Sequence, residues 1–306
     1  MTIIVFPGQG SQYIGMAKDF YDNSAEARTV FDIIEKTTEI NVKDIIFENK
    51  GELINITQYT QLCIFTASMA IFEVFKQHFD SDNIKFVLGH SLGEYSALVA
   101  SNVLSLTDCS KLLKIRGELM QNAYPENKSG MAAILGLNCF EVEKIINENK
   151  LDIEVANDNA PGQVVISGIK ETLKFSERIF LENKAKKVVF LNVSSAFHSK
   201  IMKEAEFKMK KKLLEVTFKD AKYSLVSNYS ALASKSKEVL LDNLSKQMSN
   251  KVNWYKSILM LENKDKKIVE IGPGKVLSGL IKRISSNFEI YNFNKIEDID
   301  NLKNVL

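Results

Sequence analysis

Gly89-His90-Ser91-Leu92-Gly93 is the segment of this sequence best suited to covalent chemistry. It fits G-x-S-x-G, a sharp strand-to-helix turn that holds a serine hydroxyl clear of a sheet. The glycines remove Cβ atoms that would collide across such a turn. The amide of Leu92 then lies at a helix N-terminus, where it can donate to an oxyanion. A strand reading over Phe86–Gly89 and a helix reading over Leu92–Ala100 supply the context the motif demands. Ser91 is therefore read as a nucleophile.

A serine nucleophile needs a base, and the chain has three histidines. His78 falls at a helix end and is read as solvent-facing. His90 adjoins Ser91, so its side chain diverges from the hydroxyl; it is read as support for the turn. His198, in Ser194-Ser195-Ala196-Phe197-His198-Ser199, follows a strand and precedes a helix. Open α/β sheets place their sites on such loops, and His198 is the expected base. Arg116 stands out for a different reason. A helix opened by Thr107-Asp108 puts it on one face with Cys109, Leu112, Leu113 and Met120, in the middle of an apolar stripe. A guanidinium in a dry site wants a bidentate carboxylate or phosphate. A protein carboxylate or a substrate carboxylate would serve, and the substrate is favoured. Pro7-Gly8-Gln9-Gly10-Ser11-Gln12 is a glycine-rich turn that lacks both G-x-x-x-x-G-K-S/T and G-x-G-x-x-G. Lys208, Lys210, Lys211 and Lys212 form a basic helix face, read as solvated in preference to a docking site for an acidic partner.

The elements that must position these groups alternate. Ile3–Phe6 reads as a buried strand, Gln61–Phe79 as an interior helix, and Phe86–Gly89 as a second strand. Between about Gly130 and Ser194 the order is β-α-β-β-α-β, the split ferredoxin-like unit. Its strands are Met131–Leu135, Ile153–Ala156, Gln163–Ile166 and Val188–Val193, with Asn157–Gly162 read as the loop joining the middle two. The first pattern then resumes with helices at Ile201–Leu214, after Ser236 and at Val276–Ile284, and strands at Tyr223–Ser227 and Ile268–Ile271. Strands alternating with helices on both sides of the insert imply an α/β fold with a mostly parallel sheet.

Composition narrows the function. Of 306 residues, 45% are hydrophobic and 25% charged, which excludes a disordered or collagen-like chain. The net charge is +2, too neutral for a nucleic-acid-binding domain. Cys63, Cys109 and Cys139 sit in apolar segments without metal-ligand spacing, so no metal site is expected and they read as buried thiols in a reducing compartment. The N-terminus lacks a basic start and a long apolar run, and no stretch approaches a membrane span. The expectation is a soluble, cytoplasmic protein, by default a monomer.

Pro-Gly-Gln-Gly-Ser-Gln (7–12), Thr60-Gln61, Gly-His-Ser-Leu-Gly-Glu-Tyr (89–95), Arg116-Gly117, Pro-Gly-Gln-Val-Val-Ile-Ser-Gly (161–168), Ala-Phe-His-Ser (196–199) and Glu-Ile-Gly-Pro-Gly-Lys-Val-Leu (270–277) occur in this order. Together they resemble the malonyl-CoA:acyl carrier protein transacylases and the related acyltransferase domains of polyketide synthases, over nearly the whole chain. The resemblance implies an α/β-hydrolase-like large subdomain, residues 1–128 and 196–306, with a ferredoxin-like small subdomain at 129–195. It implies Ser91 as nucleophile, His198 as base, the amides of Gln9 and Leu92 as oxyanion hole, and Arg116 on the malonyl carboxylate. Gln61 and His90 would line the site. Asn253 matches the position whose backbone carbonyl orients the histidine, so the pair would work without a carboxylate. Phe197 before His198 is the pattern associated with malonyl over branched methylmalonyl units. Leu62 replaces a common proline, a change expected at a helix start. Ser-Ala-Phe-His-Ser leans towards the free-standing acyltransferases of polyketide synthesis.

The implied activity is ping-pong malonyl transfer from malonyl-CoA to the phosphopantetheine thiol of a holo acyl carrier protein, with no bound cofactor, supplying fatty-acid or polyketide synthesis. An acyl hydrolase of the same fold is the principal alternative. It would use the same serine and histidine with water as acceptor, and Arg116 argues against it.

Overall fold

Thr2–Phe6 forms β1, buried along its whole length. Its alternation sends Ile4 and Phe6 into one apolar cluster and Ile3 and Val5 into another on the opposite face. Burial on both faces is what a central parallel strand requires. The computed structural model describes every residue from Met1 to Leu306. After β1 come α1 (Lys18–Asn23), α2 (Ala25–Thr38), α3 (Val42–Glu48), α4 (Thr57–His78), β2 (Ile84–Gly89), α5 (Gly93–Ala100) and α6 (Leu106–Gln121). A second unit follows: β3 (Ser129–Leu135), α7 (Cys139–Glu148), β4 (Ile153–Ala160), β5 (Gln163–Ile169), α8 (Lys170–Glu182) and β6 (Lys187–Phe190). The chain then adds α9 (Lys203–Leu213), β7 (Ser224–Val226), β8 (Ala233–Ser234), α10 (Lys237–Ser245), α11 (Trp254–Leu261), β9 (Lys267–Ile271), α12 (Val276–Ile284), β10 (Glu289–Phe293) and α13 (Asp298–Lys303).

The larger sheet has the order β10-β9-β1-β2-β7-β8 and is parallel except for β8. The chain leaves β1 towards β2 on one side and returns to β9 on the other. This reversal opens a crevice at the carboxyl ends of β1 and β2, where α/β sheets bind ligands. The smaller sheet, β4-β5-β3-β6, is antiparallel throughout. With α7 and α8 it forms the β-α-β-β-α-β unit with its own apolar cluster. No helix is long and apolar enough to cross a membrane.

Three local differences from the sequence reading have physical causes. β4 does not stop at Ala156: it runs through Asn157-Asp158-Asn159 to Ala160, with register shifts on β5 at Val155/Asn157 and Asp158/Ala160. Bulges let polar residues with poor strand propensity stay in a ladder. The same stretch pairs with the chain before α11, where Asp158 N donates to Val252 O at 3.0 Å and Val252 N to Ala156 O at 2.9 Å. α6 is capped by Ser105, whose Oγ accepts from Asp108 N at 2.9 Å, and not by Thr107. Leu62 lies inside α4, fully buried, and not at a helix start; Thr57 opens that helix.

Candidate active site

β2 ends at Gly89 and α5 begins at Gly93, so the reversal is made in three residues. A Cβ on Gly89 would fall 2.0 Å from the Gly93 carbonyl carbon, and one on Gly93 would fall 2.2 Å from Phe6 O and 2.8 Å from Pro7 O. Only glycine fits at either position, and the second contact shows that the chain leaving β1 abuts the elbow. Ser91 adopts φ +53°, the left-handed conformation that costs a residue with a Cβ and persists where the surroundings impose it. Asn228, beyond β7, imposes it. Its Oδ1 accepts from Ser91 N and its Nδ2 donates to Gly89 O, both at 2.7 Å.

The Ser91 hydroxyl lies 2.8 Å from His198 Nε2. On the far side of the ring, Nδ1 lies 2.9 Å from the backbone carbonyl of Gln247. A carbonyl only accepts, so Nδ1 carries the hydrogen and Nε2 presents its lone pair to Ser91. His198 N also donates to Met248 O at 3.1 Å, which pins the residue in its own left-handed backbone, φ +56°. Burial, with the charge of Arg116 second, drives the imidazole down to about 3, so it is neutral and able to accept a proton. Asn253 does not supply the orienting carbonyl. Its O accepts from Ser257 N at 3.0 Å and Ser257 Oγ at 2.9 Å to start α11, and its side chain donates to Tyr229 O at 2.7 Å. Gln247, which the sequence reading missed, holds that place.

Arg116 is completely buried on α6. Nη1 donates to Gln61 Oε1 at 2.5 Å; Nη2 donates to Gln247 Oε1 at 2.9 Å and to Ser91 Oγ at 3.1 Å. All of these acceptors are neutral, and Nε has no partner. The guanidinium lies over the Tyr95 ring, 5.3 Å from its centroid. A Cβ on Gly117 would fall 2.7 Å from Gln58 O, so α6 meets α4 closely enough here to bring Arg116 onto Gln61. Gln61 Nε2 reaches only the Met120 sulfur, at 3.3 Å, a weak acceptor.

The backbone amides of Leu92 and Gln9 donate to no protein acceptor. Gln9 is steadied by its side chain, which donates to Thr57 Oγ1 at 3.2 Å, and its turn by Ser11 Oγ on Gly8 O at 2.8 Å. His90 faces away from this centre: Nε2 pairs with Asn159 Oδ1 at 2.8 Å and the ring lies near Trp254. Phe197 is 5% exposed within the main apolar cluster. His78 is exposed at the end of α4. On the lysine-rich face of α9, Lys208 pairs with Glu204, and Lys212 with Glu215 just beyond the helix.

A hydroxyl hydrogen-bonded to a neutral imidazole, free amides beside it and a buried cation 3.1 Å away, whose direct acceptors are all neutral, form an arrangement that can do acyl chemistry on an anionic acyl group. The acyl transferase domain family matches residues 3–292. The chain belongs to this acyltransferase family.

It is 39% identical over 286 residues to the malonyl CoA-acyl carrier protein transacylase of Bacillus subtilis, covering 92% of this chain and 89% of that one. It superposes on the acyl-carrier-protein S-malonyltransferase of Bartonella henselae with a TM-score of 0.95 at 36% identity, covering 99% of this chain and 98% of the other. It also matches a malonyl-transacylase solved in complex with the acyl carrier protein of a type II polyketide synthase, with a TM-score of 0.94 at 31% identity and 99% of both chains. In this acyltransferase a cavity of about 290 Å³ opens beside His198, lined by Glu154, Lys200, Lys203, Ser249 and Lys251 among others.

Proposed function

We propose that the chain is an acyl carrier protein S-malonyltransferase. It moves malonyl from malonyl-CoA to the phosphopantetheine thiol of a holo carrier protein and feeds fatty-acid or polyketide synthesis. The observation that carries this reading is Arg116, buried, held by neutral oxygens alone and donating to Ser91 Oγ at 3.1 Å. A buried guanidinium with no carboxylate in direct contact is poorly compensated. A malonyl group esterified to Ser91 would bring its free carboxylate into direct contact with it.

In the first half-reaction His198 Nε2 takes the Ser91 proton as Oγ bonds to the thioester carbon. The carbonyl oxygen becomes an oxyanion on the Leu92 and Gln9 amides; losing one such donor typically costs about a hundred- to a thousand-fold in rate. Collapse breaks the carbon–sulfur bond, and His198 returns the proton to the leaving thiolate of CoA. In the second half-reaction His198 takes the proton of the carrier's thiol, sulfur attacks the malonyl-Ser91 ester, and Ser91 regains a proton. Atoms and charges balance without water or a redox partner. Gln247 O holds the imidazole tautomer that both halves need.

Phe197 is read as crowding an α-methyl branch, and Gln61 as a second contact for the acyl carboxylate. Residues 1–128 and 196–306 are read as the large subdomain, 129–195 as the small one, and the whole as a cytoplasmic monomer. The test is the fate of a preformed malonyl-enzyme. Added holo carrier should capture the malonyl group at least tenfold faster than water does. Equal loss with and without carrier would make the chain a hydrolase.

A further inference from the structure

Glu94 is a buried carboxylate that the reaction above leaves without a role. It lies in the first turn of α5, 1% exposed. Its Oε2 accepts from Gln247 Nε2 at 2.7 Å and from Asn228 N at 3.1 Å. The other end of the same Gln247 amide, Oε1, accepts from Arg116 at 2.9 Å. The orientation of that amide is not free. Arg116 only donates, and the second Nε2 partner, Ser91 O at 3.0 Å, only accepts. One side chain thus spans the two buried charges of the site.

We propose that Glu94 is the resting counter-ion of Arg116, and that loading of an acyl carboxylate displaces it from that role, Glu94 taking one proton from solvent as it does so. The proposal rests on the reading of Arg116 as the malonyl-binding residue. Two carboxylates around one guanidinium leave a net negative charge in a water-poor site, beside the place where an oxyanion must form. Protonating Glu94 removes that excess. Burial already pushes its carboxyl up to about 7, against the opposing pull of its hydrogen bonds and of Arg116. The other groups around it do not compete for the proton. Arg116, from α6, is the one charged neighbour. Tyr95 on α5 is held neutral by burial, His198 across Gln247 and His90 at the elbow are shifted down by burial, and Ser227, Asn228 and Gln247 do not titrate.

The sign follows. Below about pH 7 Glu94 is protonated, Arg116 is unquenched and malonyl enters without proton uptake. Above it, each malonyl loaded requires a proton, so the preference for malonyl falls as pH rises. Acetyl carries no charge, so dividing the malonyl loading rate by the acetyl rate cancels the titration of His198 and of CoA. A carboxylate serving only the start of α5 through the helix dipole would leave this ratio independent of pH.

The experiment measures single-turnover acylation by malonyl-CoA and by acetyl-CoA between about pH 6 and 8.5 for the wild type, Glu94→Gln and Arg116→Ala. The wild-type ratio should fall roughly tenfold across that range. In Glu94→Gln it should be flat and, at the alkaline end, above that of the wild type. A flat wild-type ratio overturns the proposal without any variant. So does an unchanged slope in Glu94→Gln. Arg116→Ala separates the two readings: if its ratio stays as high as the wild type's, the malonyl-binding role of Arg116 has failed, and not Glu94 alone.

Discussion

The imidazole of His198 is oriented by the main-chain carbonyl of Gln247, 2.9 Å from Nδ1, where a triad would place a carboxylate. The Gln247 side chain meanwhile serves Arg116, Glu94 and Ser91 O. Under the proposed function one residue would support the base through its backbone and acyl selection through its amide. Gln247→Ala should separate the two. Hydrogen bonds to charged groups contribute about 1.5–3 kcal/mol, so malonyl-CoA kcat/KM should fall about 10- to 100-fold. Acetyl transfer, which needs only the carbonyl, should change much less. Equal losses for both substrates would mean that the side chain supports the base as well.

Arg116→Ala should cost malonyl-CoA roughly a hundred- to several-thousand-fold in kcat/KM, the scale of breaking a buried charge pair of about 3–5 kcal/mol. Acetyl-CoA should hold or improve, because a neutral acyl group gains nothing from the cation. Steady-state competition between the two thioesters reads this directly, and a retained malonyl preference would contradict the assignment.

His198 sets the acid limb. Its neutral form is the base, and burial brings it to about 3, so acetyl loading should stay constant as pH falls through about 6.5 and decline only well below it. An acid limb centred near 6.5 would contradict this environment. The same shift acts on stability. The unfolded histidine binds a proton below about 6.5 and the folded one only near about 3, so stability is lost as pH decreases between these values, by at most about 1.4 kcal/mol per unit. His198→Ala should flatten this slope in urea titrations and lower kcat by about a hundred- to ten-thousand-fold.

Glu270, fully buried at the end of β9, caps α12. It accepts from Leu277 N at 3.0 Å, Ser278 N at 2.8 Å and Ser278 Oγ at 2.6 Å. Glu270→Ala orphans these donors and should cost about 2–4 kcal/mol in urea unfolding. The ratio of malonyl to acetyl transfer should not move; a changed ratio would place Glu270 in the acyl site.

Ser91, His198 and Arg116 stood out in the sequence as a serine in a strained turn, a histidine between a strand and a helix and a cation in an apolar stripe, and the structure brings the three side chains together. The β-α-β-β-α-β unit was legible from its alternation. Gln247 was not, because a residue acting through its carbonyl leaves no mark on its own side-chain type, and Asn253 was taken for it. Asn228 and Asn159 are equally silent: each is an ordinary polar residue until the chain folds it against Ser91 N or His90 Nε2. Asn157–Ala160 carries the composition of a loop yet runs as a strand, because it pairs with β5 across a two-residue turn on one side and with Val252, far off in sequence, on the other.

The most direct measurement is intact-protein mass after brief mixing with malonyl-CoA, followed by peptide mapping, with Ser91→Ala in parallel. The account predicts one malonyl group per wild-type chain, on the peptide containing Ser91, and none on the variant. A malonyl group on another residue, or one that persists in Ser91→Ala, would contradict it.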